Sequence, residues 1–228
     1  MNGAESLINA LAEHGVDACF ANPGTSEMQL VAALDKQPDI RAVLCLFEGV
    51  VTGAADGYGR MADKPALNLL HLGPGFANGM ANLHNAQRAR SPVLNMVGDH
   101  ATDHLQHDAP LASDIEGMAT PVSRSFRVSE SATGLAQTGL DALADSLKHN
   151  GSISTFVVPA DHAWTDTEDS LSELPDTSLR TVSDATISEV AAHLQSASNN
   201  CLFLGGRTLR EDALHQAGRV ASATGDVT

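Results

Sequence analysis

The feature that most constrains this chain is a rhythm in its first 160 residues. Short apolar runs, Val16 to Phe20, Ala42 to Leu46, Ala66 to Leu72 and Val93 to Val97, alternate with longer stretches whose apolar residues recur at helical spacing. The run Ala42-Val43-Leu44-Cys45-Leu46-Phe47 offers apolar side chains to both faces, the pattern of a strand covered on both sides. Strand and helix in alternation predict an α/β fold, a parallel sheet with helices on both faces.

The intervening stretches fit that reading. Ala4, Leu7, Ile8 and Leu11 fall at i, i+3, i+4 and i+7 of a first helix that Gly15 can end. Further helices are expected over Met28 to Leu34, with Ser26 as cap, from about Glu48 to Met61, and from about Ala77 to Arg88. Ser125 to Val128 reads as extended, Ala132 to Leu147 as helix, and Ile153 to Val158 as the last strand, closed by Pro159. The first domain is therefore expected over residues 1–160. Residues 161–184 are acidic and Ser/Thr-rich without periodicity, and read as a linker. Beyond them come a helix (Ile187 to Leu194), a strand (Cys201 to Leu204), Gly205-Gly206 and a helix (Glu211 to Ala223). One strand and two helices cannot bury a core alone, so residues 185–228 are expected to be the truncated start of a second α/β domain.

Charge and cysteine usage narrow the function classes. Thirteen Lys and Arg against 28 Asp and Glu give a net charge of −15, a poor match to a polyanion, so nucleic acid is not expected as a partner. Three widely spaced cysteines without a C-x-x-C pair suggest neither a disulfide framework nor a zinc cluster. The N-terminus lacks a basic n-region and apolar h-region, and no run of about 18 apolar residues occurs, so neither secretion nor a membrane segment is expected. A reducing cytoplasm fits best.

Ligands of such sheets gather at the carboxyl ends of the strands, here the loops at 21–27, 47–49, 71–75 and 98–108. Three of these stand out: Asn22-Pro23-Gly24-Thr25-Ser26-Glu27, then Phe47-Glu48-Gly49 leading to Ala54-Ala55-Asp56-Gly57-Tyr58-Gly59-Arg60, then His71-Leu72-Gly73-Pro74-Gly75-Phe76-Ala77-Asn78. Over residues 1–160, in order and spacing, the chain resembles the pyrimidine-binding domain of the acetolactate synthase and benzoylformate decarboxylase group of thiamine diphosphate enzymes. Leu202 to Leu204 with Gly205-Gly206 is similar to the start of that group's central domain.

The resemblance implies a role for each loop. Glu48 stands where the group carries the acid that meets the cofactor's aminopyrimidine ring at N1'. The cofactor's own 4'-amino group becomes basic enough to take the C2 proton only when a carboxyl relays a proton to that ring nitrogen. An apolar strand end between Phe47 and Val50 is expected to raise the carboxyl's pKa and keep its proton available. Without its flanking motifs, Glu48 reads as an acid favoured by a helix N-terminus. The resemblance further implies cofactor contacts from Asn22, Pro23, Gly24, Gly73, Pro74 and Asn78. The Gly73-Pro74-Gly75 turn is not a phosphate cradle, since it has no G-x-G-x-x-G and no following Lys.

Thr25 and His71 match the hydroxyl and histidine of the group's aryl 2-oxo acid decarboxylases. Thr25 is expected to hydrogen-bond a substrate carboxylate and His71 to relay protons; the plain alternatives are turn chemistry and a buried, satisfied imidazole. Acetolactate synthases usually have a small residue in place of His71 and a glutamine near Leu111, which favours decarboxylase or lyase chemistry here. Asp99 to Asp108 holds three histidines and three aspartates, yet nothing else in the sequence converges on it. It reads as a solvated site edge with His104 or His107 as a proton carrier, and no metal site is assigned. Tyr58 and Arg60 read as helix support.

The leading expectation is the N-terminal part of an enzyme that decarboxylates or ligates 2-oxo acids, inactive alone. The group places its cofactor between subunits, so a homo-oligomer, dimer or tetramer, is implied. Mg2+ and the diphosphate are held in the group by a Gly-Asp-Gly and Asn motif absent from this sequence, and FAD binding depends on the central domain. The alternative is a non-catalytic or split-subunit dimerisation module of the same fold. A generic nucleotide-binding α/β domain lacks its phosphate loop.

Overall fold

The computed structural model describes residues 1–168, 172–179 and 181–225. In chain order these form α1 (Gly3–Glu13), β1 (Ala18–Asn22), α2 (Met28–Lys36), β2 (Arg41–Leu44), α3 (Glu48–Ala62), β3 (Ala66–His71), α4 (Leu72–Ala89), β4 (Val93–Asp99), α5 (Ile115–Ala119), β5 (Ser125–Val128), α6 (Leu135–Leu147), β6 (Ile153–Pro159), α7 (Ala160–Trp164), α8 (Asp184–Ser196) and α9 (Glu211–Thr224). All strand pairs are parallel, in the order β2-β1-β3-β4-β6-β5. The chain is an α/β protein whose sheet is covered on both faces.

The central strands explain that architecture. Leu67 and Leu69 of β3 join Leu7, Ile8, Leu11, Leu30, Leu140 and Phe156 in one core. Ala66 and Leu70 join Val51, Phe76, Leu83, Val97 and Val157 in another. Alternate residues of one strand feed opposite layers, which is why the apolar runs carry no polar face. The capping box of Asn2 and Glu5 starts α1, with Glu5 N–H 2.9 Å from Asn2 Oδ1.

Several elements depart from expectation. β2 ends the sheet, and Leu44 and Leu46 are 69% and 90% exposed, so this run is not covered on both faces by the rest of the chain. α4 begins at Leu72, not near Ala77. Pro74 is compatible with a first helical turn, where its missing N–H removes no bond, and Leu72 turns the chain out of β3 with a left-handed φ of 53°. Where a linker was expected, α7 forms, Gly3 N–H bonds Thr165 O, and Asn2 pairs with Asp166.

The chain divides into two compact units, Met1–Thr177 and Ser178–Thr228. The second contains α8, none of whose residues is buried, and α9, with Ala221 buried. Cys201 to Leu204, expected as a strand, forms no ladder among the described residues, and Phe203 is almost wholly exposed.

Candidate functional site

Parallel strands end together, and this sheet's carboxyl rim collects Asn22, His71 and Asp99. Asn22 Nδ2 donates to the Cys45 carbonyl at 2.7 Å, tying the end of β1 to the segment that leads into α3. Glu48 follows in the first turn of α3 and is buried. Helix α3 is fixed against α4 by polar contacts: Asn82 Nδ2 donates to Gly49 O at 2.6 Å and Thr52 Oγ1 to Gly79 O at 3.0 Å. That lock sets the distance between the two expected partners, and Asn78 Nδ2 donates to Glu48 Oε2 at 3.0 Å. Glu48 Oε1 has no hydrogen-bond partner among the described residues, and it is not among the fully enclosed polar atoms. A side chain at Gly75 would come within 3.1 Å of this oxygen, so glycine there leaves its approach clear. Phe47 and Val50, expected as the acid's apolar walls, are instead 50% and 55% exposed. They flank α3's start on an uncovered surface because β2 is an edge strand.

A second acid lies at the same rim. Glu27 closes the 3₁₀ turn Thr25–Glu27 and is fully buried. Its Oε2 accepts from Gly24 N–H at 2.7 Å and lies 2.8 Å from His71 Nδ1. Its Oε1 has no hydrogen-bond partner among the described residues, and it occupies the space over β4 that a side chain at Gly98 would need. Burial pushes the Glu27 carboxyl above its usual range, against the opposing pull of Gly24 and His71. Glu27 stood inside the first motif without being recognised as a site residue. Its signal was an acid three positions after a glycine, the spacing of a reciprocal cap.

The two clusters share a wall. A side chain at Gly75 would lie 3.1 Å from Glu48 Oε1 and 3.4 Å from His71 Cβ. Among expected site residues, Glu48 and Asn78 form one group, and Gly24 and His71 form another around Glu27. Gly73 and Pro74 line a separate opening of about 440 Å³ with Ser113, Asp114 and Met118. Thr25 is exposed and lines a third, of about 450 Å³, with Ser26, His100, His104 and Trp164. Pro23 is half-buried beside these turns.

The histidine loop is exposed from Thr102 to Asp108, as expected of a solvated edge. His100, His104 and His107 stand in a row, with ring centroids 5.3 and 5.5 Å apart. Half-burial pushes the Asp99 carboxyl up. Among the described residues no cluster of His, Cys, Asp or Glu is arranged to hold a metal. No helix among them is long and apolar enough to cross a membrane.

Comparison with known proteins addresses what this rim serves. Residues 1–118 match the family described as thiamine pyrophosphate enzyme, N-terminal TPP binding domain. The chain is 48% identical over 225 residues to a Mycobacterium tuberculosis protein provisionally named acetolactate synthase large subunit IlvX, covering 99% of this chain and 43% of that protein. It is 36% identical over 103 residues to benzoylformate decarboxylase of Pseudomonas aeruginosa, covering 45% of this chain and 19% of the relative. Its fold matches a thiamine diphosphate-dependent 4-hydroxybenzoylformate decarboxylase of Rhodococcus jostii with a TM-score of 0.86 at 23% identity, covering 98% and 43% of the two chains. This chain thus spans less than half the length of these relatives.

Proposed function

The chain belongs to the thiamine pyrophosphate enzymes through their N-terminal TPP-binding domain, and from that premise we propose that it supplies the pyrimidine-binding half of an enzyme that decarboxylates or ligates 2-oxo acids, with Glu48 as the acid that activates the cofactor. One observation carries this reading: Glu48 is buried and held by Asn78 through one oxygen, while its other oxygen has no partner among the described residues and faces the clearance at Gly75. An acid kept for packing has no reason to leave an oxygen reachable. An acid that must exchange a proton with a ring nitrogen does.

Thiamine diphosphate fits this donor set, and when bound it supplies the carbanion chemistry at C2. The chain's own residues do the rest. Glu48 Oε1 holds and returns a proton at the ring, and Asn78 fixes the carboxyl's rotation. Gly73, Pro74 and the 22–24 turn offer close-approaching backbone. His71 exchanges protons with substrate from the open side of its ring, while Glu27 fixes its Nδ1, and Thr25 binds the substrate carboxylate. The similarity to benzoylformate decarboxylase, 36% over 103 residues, supports an aryl 2-oxo acid as substrate.

The uncovered Leu44, Leu46, Phe47 and Val50 beside Glu48 support an oligomer in which a second subunit closes the cofactor site. That subunit's diphosphate domain is assigned the Mg2+, and the central domain begun at residues 185–228 is assigned any FAD. The domain organisation proposed is 1–160, 161–184 and 185–228. Buried free thiols at Cys19 and Cys45 suit a reducing cytoplasm.

The test uses the protein containing this chain at its natural full length, with thiamine diphosphate and Mg2+, following CO2 release from benzoylformate and pyruvate. Glu48→Gln is expected to lower kcat by about 10²–10⁴-fold with the melting temperature unchanged. Near-normal turnover in that variant would exclude the role given to Glu48.

A further inference from the structure

The other end of the sheet holds a cavity with a different chemistry. About 580 Å³ in volume, it lies where the chain enters β4, β5 and β6, and its lining includes Gln87, Arg90, Arg124, His149, Asn150 and Ser152. In a chain of charge −15, no acid among the described residues lines it. Asp145 on neighbouring α6 is engaged by Arg127 at 2.7 Å and Lys148 at 2.8 Å. Arg90 and Arg124 have neither an ion pair nor a side-chain hydrogen bond among the described residues.

The frame of this cavity is built without any ligand. Arg90 leaves α4 in a left-handed conformation, φ 54°, and the turn from α6 into β6 carries three such residues, His149 (59°), Asn150 (66°) and Gly151 (103°). Gly151 is buried against the Arg90 carbonyl, where a side chain would collide, so the two turns are packed together. Val93 N–H bonds Ser152 O at 3.0 Å and Arg124 N–H bonds Ile153 O at 2.8 Å. Three loops are thereby stitched at their backbones, and their basic side chains share one opening.

We propose that this cavity binds a small phosphorylated molecule of the diphosphate class, gripped by the guanidinium groups of Arg90 and Arg124, with His149 and the Asn150 amide completing the donor set. A single carboxylate is satisfied by one guanidinium fork. Two unpaired forks with an imidazole call for more negative charge and more acceptor oxygens than that, which a diphosphate has. A nucleic-acid strand needs an extended basic surface, and this chain's net charge opposes one. The site lies at the amino ends of the strands, so its occupant does not compete for the Glu48 rim.

Calorimetric titration of this chain with inorganic pyrophosphate, in Mg2+-free buffer at constant ionic strength, tests the site. Saturable binding is expected, weakened at least tenfold in Arg90→Asn/Arg124→Ala, where asparagine tolerates the left-handed backbone. Arg41→Ala, which removes an exposed charge from the same end of the sheet, is expected to bind as the wild type does. Unfolding curves that superpose for all three proteins show that the loss is local. A parallel titration with ADP distinguishes the source: tighter binding than pyrophosphate indicates a nucleoside diphosphate, and equal binding a phosphoryl group alone. Absence of saturable binding by either probe overturns the proposal. So does unchanged binding in the double variant, or an equal loss in Arg41→Ala.

Discussion

Two glutamates stand at one rim of one sheet and are held in opposite ways. Glu27 is sealed, with one oxygen shared by Gly24 and His71 and the other pressed over Gly98 without a partner. Glu48 is held through one oxygen by Asn78, and the other remains reachable. The difference separates two uses of a buried acid. A sealed carboxyl acts on the histidine it touches and is part of the fold's support, whereas an open one is available to a ligand and contributes less to stability.

Truncation breaks or upholds this contrast directly. Glu27→Ala leaves the part-buried Gly24 N–H and the His71 Nδ1 without their partner, and is expected to lower unfolding free energy by about 2–3 kcal/mol in a denaturant titration. Glu48→Ala, which unpairs the amide of the exposed Asn78, is expected to lose about 1 kcal/mol or less. Equal losses would mean that Glu48 is as structural as Glu27. Gly98 sharpens the point from the other side of the contact. Gly98→Ala alone is expected to lose about 1–3 kcal/mol by overpacking against Glu27 Oε1. Combined with Glu27→Ala the added methyl finds space, so the two changes are expected to fall short of additivity by about 1 kcal/mol or more.

Much of this arrangement was readable in the chain before its fold was known. The central strands, buried on both faces, wrote themselves as apolar runs broken only by Asn68 in one and Asn95 in the other, and helix α3 began at Glu48 as its position after such a run required. The edge strand was misleading for a physical reason: β2 is as apolar as β3, and sequence shows how apolar a strand is but not what covers it. Helix α4 was read as starting late because Gly73-Pro74-Gly75 has the composition of a turn, while proline also suits a first helical turn. Glu48 and Asn78 were legible as a pair of motifs. The bond between Glu27 and His71 was not, since 44 residues separate them and only the parallel pairing of β1 with β3 brings their loops together.

The smallest expected effect probes the sealed acid's charge. Burial is the largest influence on the Glu27 carboxyl and raises it above its ordinary value of 4.5, with the Gly24 N–H and His71 opposing. The folded state therefore holds this proton more tightly than the unfolded chain does. The resulting stability is fully present below pH 4.5 and is lost as pH rises through the raised value. Glu27→Gln keeps the shape and an acceptor for Gly24 but has nothing to titrate. Relative to this variant, the wild type is expected to lose stability progressively as pH rises above 4.5, read from urea midpoints at each pH. The opposite slope, with the wild type gaining on the variant as pH rises, would mean that a protonated His71 outweighs desolvation and holds Glu27 ionised. In that case the rim would carry an ion pair, and the sealed acid would differ from Glu48 in enclosure alone.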